Sequence, residues 1–194
     1  MKIYDISKEV FSSTVFPGDP EPGHQPVSEL AKGDLCNLTS LTLGSHTGTH
    51  MDAPSHFVPG GRTIDQLDLR KCVGPCLVAE AAGPLSPQWV EAALAGGVTR
   101  LLIKGDIEVT PQAAEKMVEL GLGFLGVEHF TVGTGETGVQ VHRILLGAEI
   151  ALLEACTLEG VPAGEYLLVS PPLKYGGLDG AQVRPLLVEL PEKV

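Results

Sequence analysis

The stretch His46-Thr-Gly-Thr-His50-Met-Asp52-Ala-Pro-Ser-His56 contains three of the six histidines of the chain and an aspartate within eleven residues. Neutral imidazole and carboxylate groups are the usual ligands of zinc and similar divalent ions in proteins. Two histidines four residues apart are common by chance. The added aspartate, the third histidine and the central glycine make this combination a predicted metal site.

The backbone of this stretch is predicted to be extended. Its threonines, glycine and proline are poor helix residues, and residues spaced by two along a strand project from one face. Two residues span about 6.6 Å, which suits His50 and Asp52 on one ion, whereas the four residues from His46 to His50 would span about 13 Å. We therefore expect a bend at Gly48, where the missing side chain also leaves room for the metal.

The same stretch resembles the signature of the family that includes bacterial kynurenine formamidase (arylformamidase), isatin hydrolase and the cyclases. That signature reads His-x-Gly-Thr-His-x-Asp-x-Pro-x-His, and the chain matches every fixed position. Weaker resemblance runs from Tyr4-Asp-Ile-Ser7 to Gly177-Leu-Asp-Gly180. The resemblance implies an α/β fold, with a mixed β-sheet system and packed helices of the swivelling β/β/α kind.

The resemblance also implies two divalent metal ions per chain, with zinc as the first choice and manganese as the alternative. His46 and His50 would hold the first ion and His142 the second, while Asp52 and Glu154 would contact both. The spacing of twelve residues between His142 and Glu154 is that of the family. The residues agree with this role, because Glu154 ends an apolar strand, where a buried carboxylate without a partner would be costly.

His56 is the predicted catalytic residue. It lies beyond the turn at Pro54, so we expect it off the ligand face, where an imidazole can take and return a proton near neutral pH. The alternative is that His56 is a third histidine ligand.

An apolar wall for the substrate is expected from aromatic residues. In the family the aromatic residue of the Phe16-Pro-Gly-Asp loop lies against the substrate and is often tryptophan. Packing of Phe16 into the core is an equal alternative, and Phe57 and Tyr175 are further candidates for the wall.

Several polar residues have no role fixed by the pattern. Many relatives carry aspartates and a serine around Glu128 and His129, so the substrate is left open at this point. His129 is either a surface residue or an extra contact to metal or substrate. His24 is expected in solvent or at the rim of the site, and Glu149 is expected to face solvent.

The activity that the resemblance implies is metal-dependent hydrolysis of a formamide, an amide or a small cyclic amide. Its most specific form is an arylformamidase of tryptophan catabolism acting on N-formylkynurenine. The alternatives are an isatin-like cyclic-amide hydrolase, a cyclase or dehydratase, and a metal-containing binding protein without turnover. The free imidazole at position 56 argues against the binding protein. Relatives form homo-oligomers, so a dimer or tetramer is expected.

Composition and charge exclude other classes of function. A net charge of −11 without a basic stripe argues against binding to nucleic acid or to an anionic membrane surface. The sequence has no apolar run of about 18 residues and no signal core, and its four cysteines show no paired spacing. We expect a single cytoplasmic domain over residues 1–194 that acts on a small molecule.

The middle of the chain is predicted to alternate strands and helices. Ser86-Pro87 and Thr110-Pro111 each combine a helix cap with a first-turn proline. This alternation predicts parallel strands joined by crossover helices. Further strands are expected at 2–7, 38–43, 76–81, 99–104, 124–127, 150–154, 165–170 and 183–190, with 38–43 half-buried.

Overall fold

The computed structural model describes residues 1–133 and 135–189. Over these residues it contains thirteen β-strands: β1 (Lys2–Asp5), β2 (Gly23–Ser28), β3 (Leu38–Thr42), β4 (His50–Asp52), β5 (Val73–Glu80), β6 (Gly83–Pro84), β7 (Arg100–Lys104), β8 (Ile107–Glu108), β9 (Phe124–Val127), β10 (Ala151–Glu154), β11 (Gly164–Val169), β12 (Gly180–Gln182) and β13 (Leu186–Glu189). The same residues contain three α-helices: α1 (Pro87–Ala93), α2 (Pro111–Glu119) and α3 (Gly135–Gly147).

Nine of the described strands form one mixed sheet in the order β1-β13-β11-β5-β7-β9-β10-β4-β12. The central strands β5, β7, β9 and β10 run parallel. The flanking strands pair antiparallel. Since α1, α2 and α3 each connect two of the parallel strands, the predicted crossovers are confirmed, and so is the α/β class with a mixed sheet.

The helices α1 and α2 begin where the sequence predicts. The Ser86 hydroxyl accepts a hydrogen bond from the backbone N–H of Trp89 at 3.1 Å, and the Thr110 hydroxyl accepts one from Ala113 at 3.1 Å. A proline occupies the first turn in both helices. These caps satisfy backbone donors that a helix otherwise leaves free.

Alternate residues of the sheet strands face two different hydrophobic cores. Leu101 and Ile103 of β7 face the core that the helices cover, whereas Leu102 faces the other core. That second core also contains Ala181 of β12 and Leu187 of β13, so the sheet curls around it. Each such buried leucine or isoleucine stabilises the fold by about 1.5–3 kcal/mol relative to an exposed one.

The strands β2 and β3 form a separate antiparallel ribbon. The prediction of a half-buried strand at 38–43 is wrong, because every residue of β3 is exposed, including Leu38 (54%) and Leu41 (57%). Alternation of leucine with threonine or serine is typical of a strand with one buried face. Here the partner strand β2 lies outside the main sheet, so neither face of β3 is covered.

The strands at the two ends of the chain pair with each other. β1 is the edge strand of the sheet, with Lys2 opposite Glu189 of β13. The predicted strand at 183–190 begins only at Leu186, and its last residue lies outside the described residues. Within the described part of the chain, no helix has the length and apolar character needed to cross a membrane.

Candidate metal centre

Two neighbouring strands, β4 and β10, place carboxylate and imidazole groups on one face of the sheet. β4 carries His50 and Asp52, while Met51 between them points into the core on the other face. On one side of β4, Glu154 of β10 lies directly opposite His50. On the other side, Gly180 of β12 lies opposite Asp52. Directly paired residues of antiparallel strands have Cβ atoms about 4.5–5.5 Å apart, so their side chains can bind the same ion.

The predicted bend at Gly48 is confirmed. Its φ of +69° turns the chain, and the ring centroids of His46 and His50 lie 4.9 Å apart. A Cβ at Gly48 would meet Ser13 Oγ at 3.3 Å and Val10 Cα at 3.5 Å. The missing side chain therefore makes room for the N-terminal segment. Gly48 also lines the cavity beside the cluster, and the room that it leaves for a metal stays a prediction.

His50 and the α3 residue His142 are oriented in the same way. Nδ1 of His50 lies 2.9 Å from the Gly48 carbonyl, and Nδ1 of His142 lies 2.7 Å from the Gly138 carbonyl. A carbonyl oxygen only accepts, so Nδ1 carries the proton in both neutral rings and the Nε2 lone pair is left free.

The two buried carboxylates lie between these free nitrogens. Nε2 of His50 is 3.4 Å from Asp52 Oδ1 and 3.4 Å from Glu154 Oε2. Nε2 of His142 is 3.3 Å from Glu154 Oε1 and 3.7 Å from Asp52 Oδ2. A lone pair that faces a carboxylate oxygen in a buried site is unfavourable unless a metal ion or an added proton lies between the two atoms.

The donor set and its spacing fit a divalent metal. Asp52 Oδ2 is buried and has no hydrogen-bond partner within the residues that the structure describes, which is costly for a carboxylate oxygen. Two ligand atoms bound at about 2.0–2.1 Å to one tetrahedral ion are about 3.4 Å apart. The distances between imidazole and carboxylate atoms are close to this value.

The pKa values of these groups also show that the site favours positive charge. Burial lowers the pKa of His50, but its contacts with Asp52 and Glu154 outweigh that effect and raise the pKa to about 10. The same balance raises the pKa of His46 and of His142. Burial raises the pKa of Asp52, yet the neighbouring histidines hold it well below its ordinary value. The metal-free site thus binds protons that a metal ion would displace.

His56 lies at the wall of a cavity of about 470 Å³ beside the cluster. The 3-10 turn Pro54–His56 follows β4 and places the ring stacked on His46, with centroids 4.0 Å apart. Burial lowers the pKa of His56. His46, Asp52 and His56 also have potential ligand atoms within 4.8 Å of one another. This geometry is compatible with both alternatives for His56, which are a proton carrier and a third imidazole ligand.

Aromatic residues form part of the cavity wall. Phe16 lines the cavity, is 51% exposed and makes an edge contact with Phe130, with centroids 5.9 Å apart. Phe57 stacks on His142 at 4.3 Å. The expectation that Tyr175 belongs to this wall is wrong, because Tyr175 packs against the core enclosed by the sheet.

Glu128 has a structural role in the described fold. Its carboxylate accepts hydrogen bonds from the backbone N–H groups of Gly105 at 2.9 Å and Leu158 at 2.7 Å. His129 turns to the surface, where its Nε2 lies 3.1 Å from Asp106. Neither residue lines the cavity, so the extra metal or substrate contact considered for His129 is not formed.

The other two open residues lie where the sequence predicts. His24 is exposed and contacts the ring of Phe11, with centroids 4.9 Å apart. The Glu149 side chain is 43% exposed and pairs with Arg62 at 3.2 Å. Glu149 therefore faces solvent, whereas Glu154 is buried.

Asp179 is part of the site although the sequence pattern gave it no role. Its Oδ2 lies 2.9 Å from His46 Nε2 and 3.4 Å from His56 Nδ1, and its Oδ1 accepts a hydrogen bond from the Ser45 hydroxyl at 3.1 Å. A single aspartate 133 residues from His46 has no spacing to reveal it. Two weaker signals point to it: the resemblance that extends to Gly177-Leu-Asp-Gly180, and the glycine after it, because a glycine in a strand often marks a close approach.

Three solved structures share this fold over most of their length. The chain is 26% identical to a protein described as a "potential metal-dependent hydrolase with cyclase activity", with a TM-score of 0.83 over 98% of this chain and 99% of that chain. It is 25% identical to a "predicted metal-dependent hydrolase from Bacillus stearothermophilus", with a TM-score of 0.79 over 96% and 97%. Isatin hydrolase A from Labrenzia aggregata, at 22% identity and a TM-score of 0.80 over 96% and 93%, shares the fold.

The sequence itself carries the family assignment. The family described as "Putative cyclase" matches residues 4–133, which is well over half of the chain and includes the whole stretch from His46 to His56. The resemblance found in the signature is thereby confirmed. The chain belongs to the family described as "Putative cyclase".

Proposed function

We propose that the chain is a single-domain, metal-dependent hydrolase that cleaves the carbon–nitrogen bond of a formamide, an amide or a small cyclic amide. One observation carries the proposal: two buried carboxylates, Asp52 and Glu154, each lie between two imidazole Nε2 atoms. The two solved neighbours at 25% identity or more are described as metal-dependent hydrolases, which supports it. Pairing of β1 with β13 joins the first and the last described strands in one sheet, which supports a single domain.

Two divalent ions fit the proposal, with zinc as the first choice and manganese as the alternative. His46 and His50 would hold one ion, with His46 approaching from the side of Asp52 Oδ1, and His142 would hold the other. Asp52 and Glu154 would contact both ions. Such ions, when bound, act as Lewis acids and lower the pKa of water toward 7.

The protein holds the ligands in place by hydrogen bonds from outside the cluster. The Gly48 and Gly138 carbonyls fix the rings of His50 and His142. The buried backbone N–H of Val132 donates to Glu154 Oε1 at 2.7 Å and fixes that carboxylate. Rigid ligands of this kind lower the cost of binding the metal and the substrate.

His56 is the proton carrier of the proposed reaction. Because burial lowers its pKa, the imidazole is neutral near pH 7 and accepts a proton from the attacking water. The water oxygen bonds to the carbonyl carbon, the carbon–nitrogen bond breaks, and His56 returns the proton to the departing nitrogen. His56 lines the cavity in which the substrate would bind, which supports this role.

The cavity suits an amide that carries a ring. Phe16, Phe57 and Phe130 line it, and its volume of about 470 Å³ matches a small molecule. N-formylkynurenine, as in tryptophan catabolism, is the most specific substrate that we propose. A cyclic amide is the second candidate, because one of the solved neighbours is an isatin hydrolase. A metal-binding protein without turnover is disfavoured by the free imidazole of His56 in the cavity.

A substrate screen on metal-free and metal-loaded protein tests this function. Chelator-treated protein is reconstituted with zinc or manganese and assayed with N-formylkynurenine, isatin and a small aliphatic formamide. We expect hydrolysis only after reconstitution, and faster hydrolysis of a ring-bearing substrate. Metal uptake without hydrolysis of any amide would favour the binding protein, and formation of a ring-closed product would favour a cyclase.

We also propose a cytoplasmic homo-oligomer, either a dimer or a tetramer. An isolated two-stranded ribbon is marginally stable in water, and the exposed leucines of the β2–β3 ribbon would be covered by a second copy. The four cysteines are free, and three of them are buried, which fits a reducing compartment. Sedimentation equilibrium tests the assembly, and a monomer at micromolar concentration would contradict it.

A further inference from the structure

We propose that Asp179 is the positioning residue for His46, that Gly180 makes room for the ring, and that His46 therefore offers Nδ1 to the metal. This inference rests on the proposed metal site and specifies how one of its ligands is held. Asp179 touches none of the other proposed ligands within hydrogen-bond distance, so it acts through His46.

The hydrogen bonds of His46 differ from those of the other two histidines. His50 and His142 each give Nδ1–H to a backbone carbonyl and turn Nε2 to the carboxylates. In His46 the roles are exchanged: Nδ1 lies 3.0 Å from Asp52 Oδ1, and Nε2 lies 2.9 Å from Asp179 Oδ2. Asp179 thus occupies the outer position that a carbonyl occupies for the other rings. A carboxylate there fixes the tautomer with the proton on Nε2.

Asp179 is itself held at two points, its carboxylate and its backbone. The Ser45 hydroxyl donates to Oδ1 at 3.1 Å. The backbone carbonyl of Asp179 accepts from the N–H of Ala53, directly after β4, at 2.9 Å. Asp179 is therefore tied to the strand that carries Asp52, and its distance to the metal ligands is set by the sheet.

Gly180 completes the arrangement by leaving space for the ring. It lies opposite Asp52 in the ladder, on the face where a side chain would point at the ligands. A Cβ at this position would lie 2.6 Å from Cε1 of His46. Alanine here would therefore displace the ring of His46, although the backbone conformation of Gly180 is open to any residue.

His56 is the other possible partner of Asp179, and the distances favour His46. Asp179 Oδ2 lies 3.4 Å from His56 Nδ1, beyond the usual range for a hydrogen bond, against 2.9 Å from His46 Nε2. If Asp179 served His56 instead, its removal would slow catalysis and leave metal affinity unchanged.

Zinc affinity of the full chain, measured by competition with a chromophoric chelator, tests the proposal. Asp179→Ala should weaken zinc binding by about 10–100-fold, as loss of an outer hydrogen-bond partner does elsewhere. Asp179→Asn should recover most of that loss, because its amide oxygen still accepts from Nε2–H. Gly180→Ala should also weaken binding. The matched control is Gly176→Ala in the same loop, where a Cβ meets no described atom within 4 Å.

The tautomer gives a second readout that a purely structural role would not move. A long-range proton–nitrogen spectrum of the zinc-loaded protein should show Nε2 protonated in His46 and Nδ1 protonated in His50 and His142. Protonated Nδ1 in His46, or unchanged zinc affinity in Asp179→Ala, would overturn the proposal.

If the wild-type chain binds neither zinc nor manganese, the proposed function fails separately, and the metal-free protein still decides the question. The hydrogen-bonded Nε2 proton of His46 should then be visible in the wild type and in Gly176→Ala and be lost in Asp179→Ala. Its persistence in Asp179→Ala would overturn the role of Asp179.

Discussion

Glu154 lies directly opposite His50 across the ladder between β10 and β4, and its Oε2 is 3.4 Å from His50 Nε2. This pairing joins the stretch from His46 to His56 to a strand about a hundred residues further along the chain. Both residues are almost completely buried, at 3% exposure for Glu154 and 2% for His50. A buried carboxylate and imidazole at this separation are stabilised together by a bound cation, so the following predictions concern charge, shape and titration at this site.

Removal of either shared carboxylate charge should empty the site. Asp52→Asn and Glu154→Gln keep the shape of the side chain but lose the charge that two imidazoles face. Since loss of an outer partner costs about 10–100-fold in affinity, loss of a ligand charge should cost more than about 100-fold. Elemental analysis after gel filtration measures this. Glu149→Gln, on the exposed neighbouring glutamate, should bind metal normally, and loss of metal from this variant alone would mean that the ligand assignment is wrong.

The metal-free protein should become less stable as the pH rises above neutral. A histidine in the unfolded chain titrates near 6.5, whereas the pKa of His50 in the fold is raised to about 10. The folded state binds the extra proton between these values, so this stabilisation is complete below about pH 6.5 and is lost as the pH rises through about 10. Denaturant titrations of chelator-treated protein between about pH 7 and 8.5 should show a falling free energy of unfolding.

The chosen pH range and one variant isolate the contribution of His50. The buried thiols of Cys72, Cys76 and Cys156, whose pKa values burial raises to about 12, lower the stability only above about pH 8.5, where thiols of the unfolded chain ionise. The His50→Gln variant should show a flatter curve below that pH. A wild-type curve that is flat, or that rises, would show that His50 is not held protonated in the metal-free fold.

Phe16 should contribute to selection of a ring-bearing substrate. Its side chain lines the cavity and contacts Phe130, and aromatic contacts are worth about 0.5–1.5 kcal/mol. Phe16→Ala should therefore raise KM for an aromatic amide by about 2- to 10-fold and leave KM for a small aliphatic formamide nearly unchanged. Phe11→Ala, which removes a ring that contacts His24 outside the cavity, is the control. An equal effect on both substrates would indicate that Phe16 only packs in its loop.

Glu128 should affect stability and leave metal binding intact. Its carboxylate satisfies two backbone N–H groups, those of Gly105 and Leu158. Glu128→Ala leaves both donors without this partner and should lower the free energy of unfolding by about 1.5–3 kcal/mol. The exposed Glu115→Ala on α2 is the control. Loss of metal at unchanged stability would instead place Glu128 in the site.

His56→Ala separates proton transfer from metal binding. If His56 is the proton carrier, the variant should retain its metal and its fold but lose about 10²–10⁴ in kcat. Metal content and kcat are measured on the same sample. A parallel fall in both would identify His56 as a ligand, and normal turnover at full metal content would remove it from the mechanism.

The sequence allowed prediction of those parts of the fold that local chemistry determines. The caps at Ser86 and Thr110 predicted α1 and α2, and the alternation of strands with helices predicted the parallel centre of the sheet. The bend at Gly48 followed from the length of an extended chain, because a straight strand separates His46 from His50 by too large a distance. These features depend on a few adjacent residues.

Features that depend on distant parts of the chain could not be predicted in this way. The exposure of β3 depends on where its partner β2 lies, and its alternating sequence is the same in either environment. Asp179 reaches His46 only because β12 pairs with β4, and a lone aspartate carries no spacing signal. Tyr175 is a candidate for the cavity wall by residue type alone, whereas the chain turns it to the core.

The proposed hydrolase depends on divalent metal ions that Asp52 and Glu154 would hold. The most direct test measures metal stoichiometry and amide hydrolysis together while zinc or manganese is titrated into chelator-treated wild-type protein. The wild-type protein should take up close to two ions per chain, and hydrolysis should appear as the sites fill. A protein that stays free of metal after incubation with both ions, or that hydrolyses the amide equally well without metal, would contradict it.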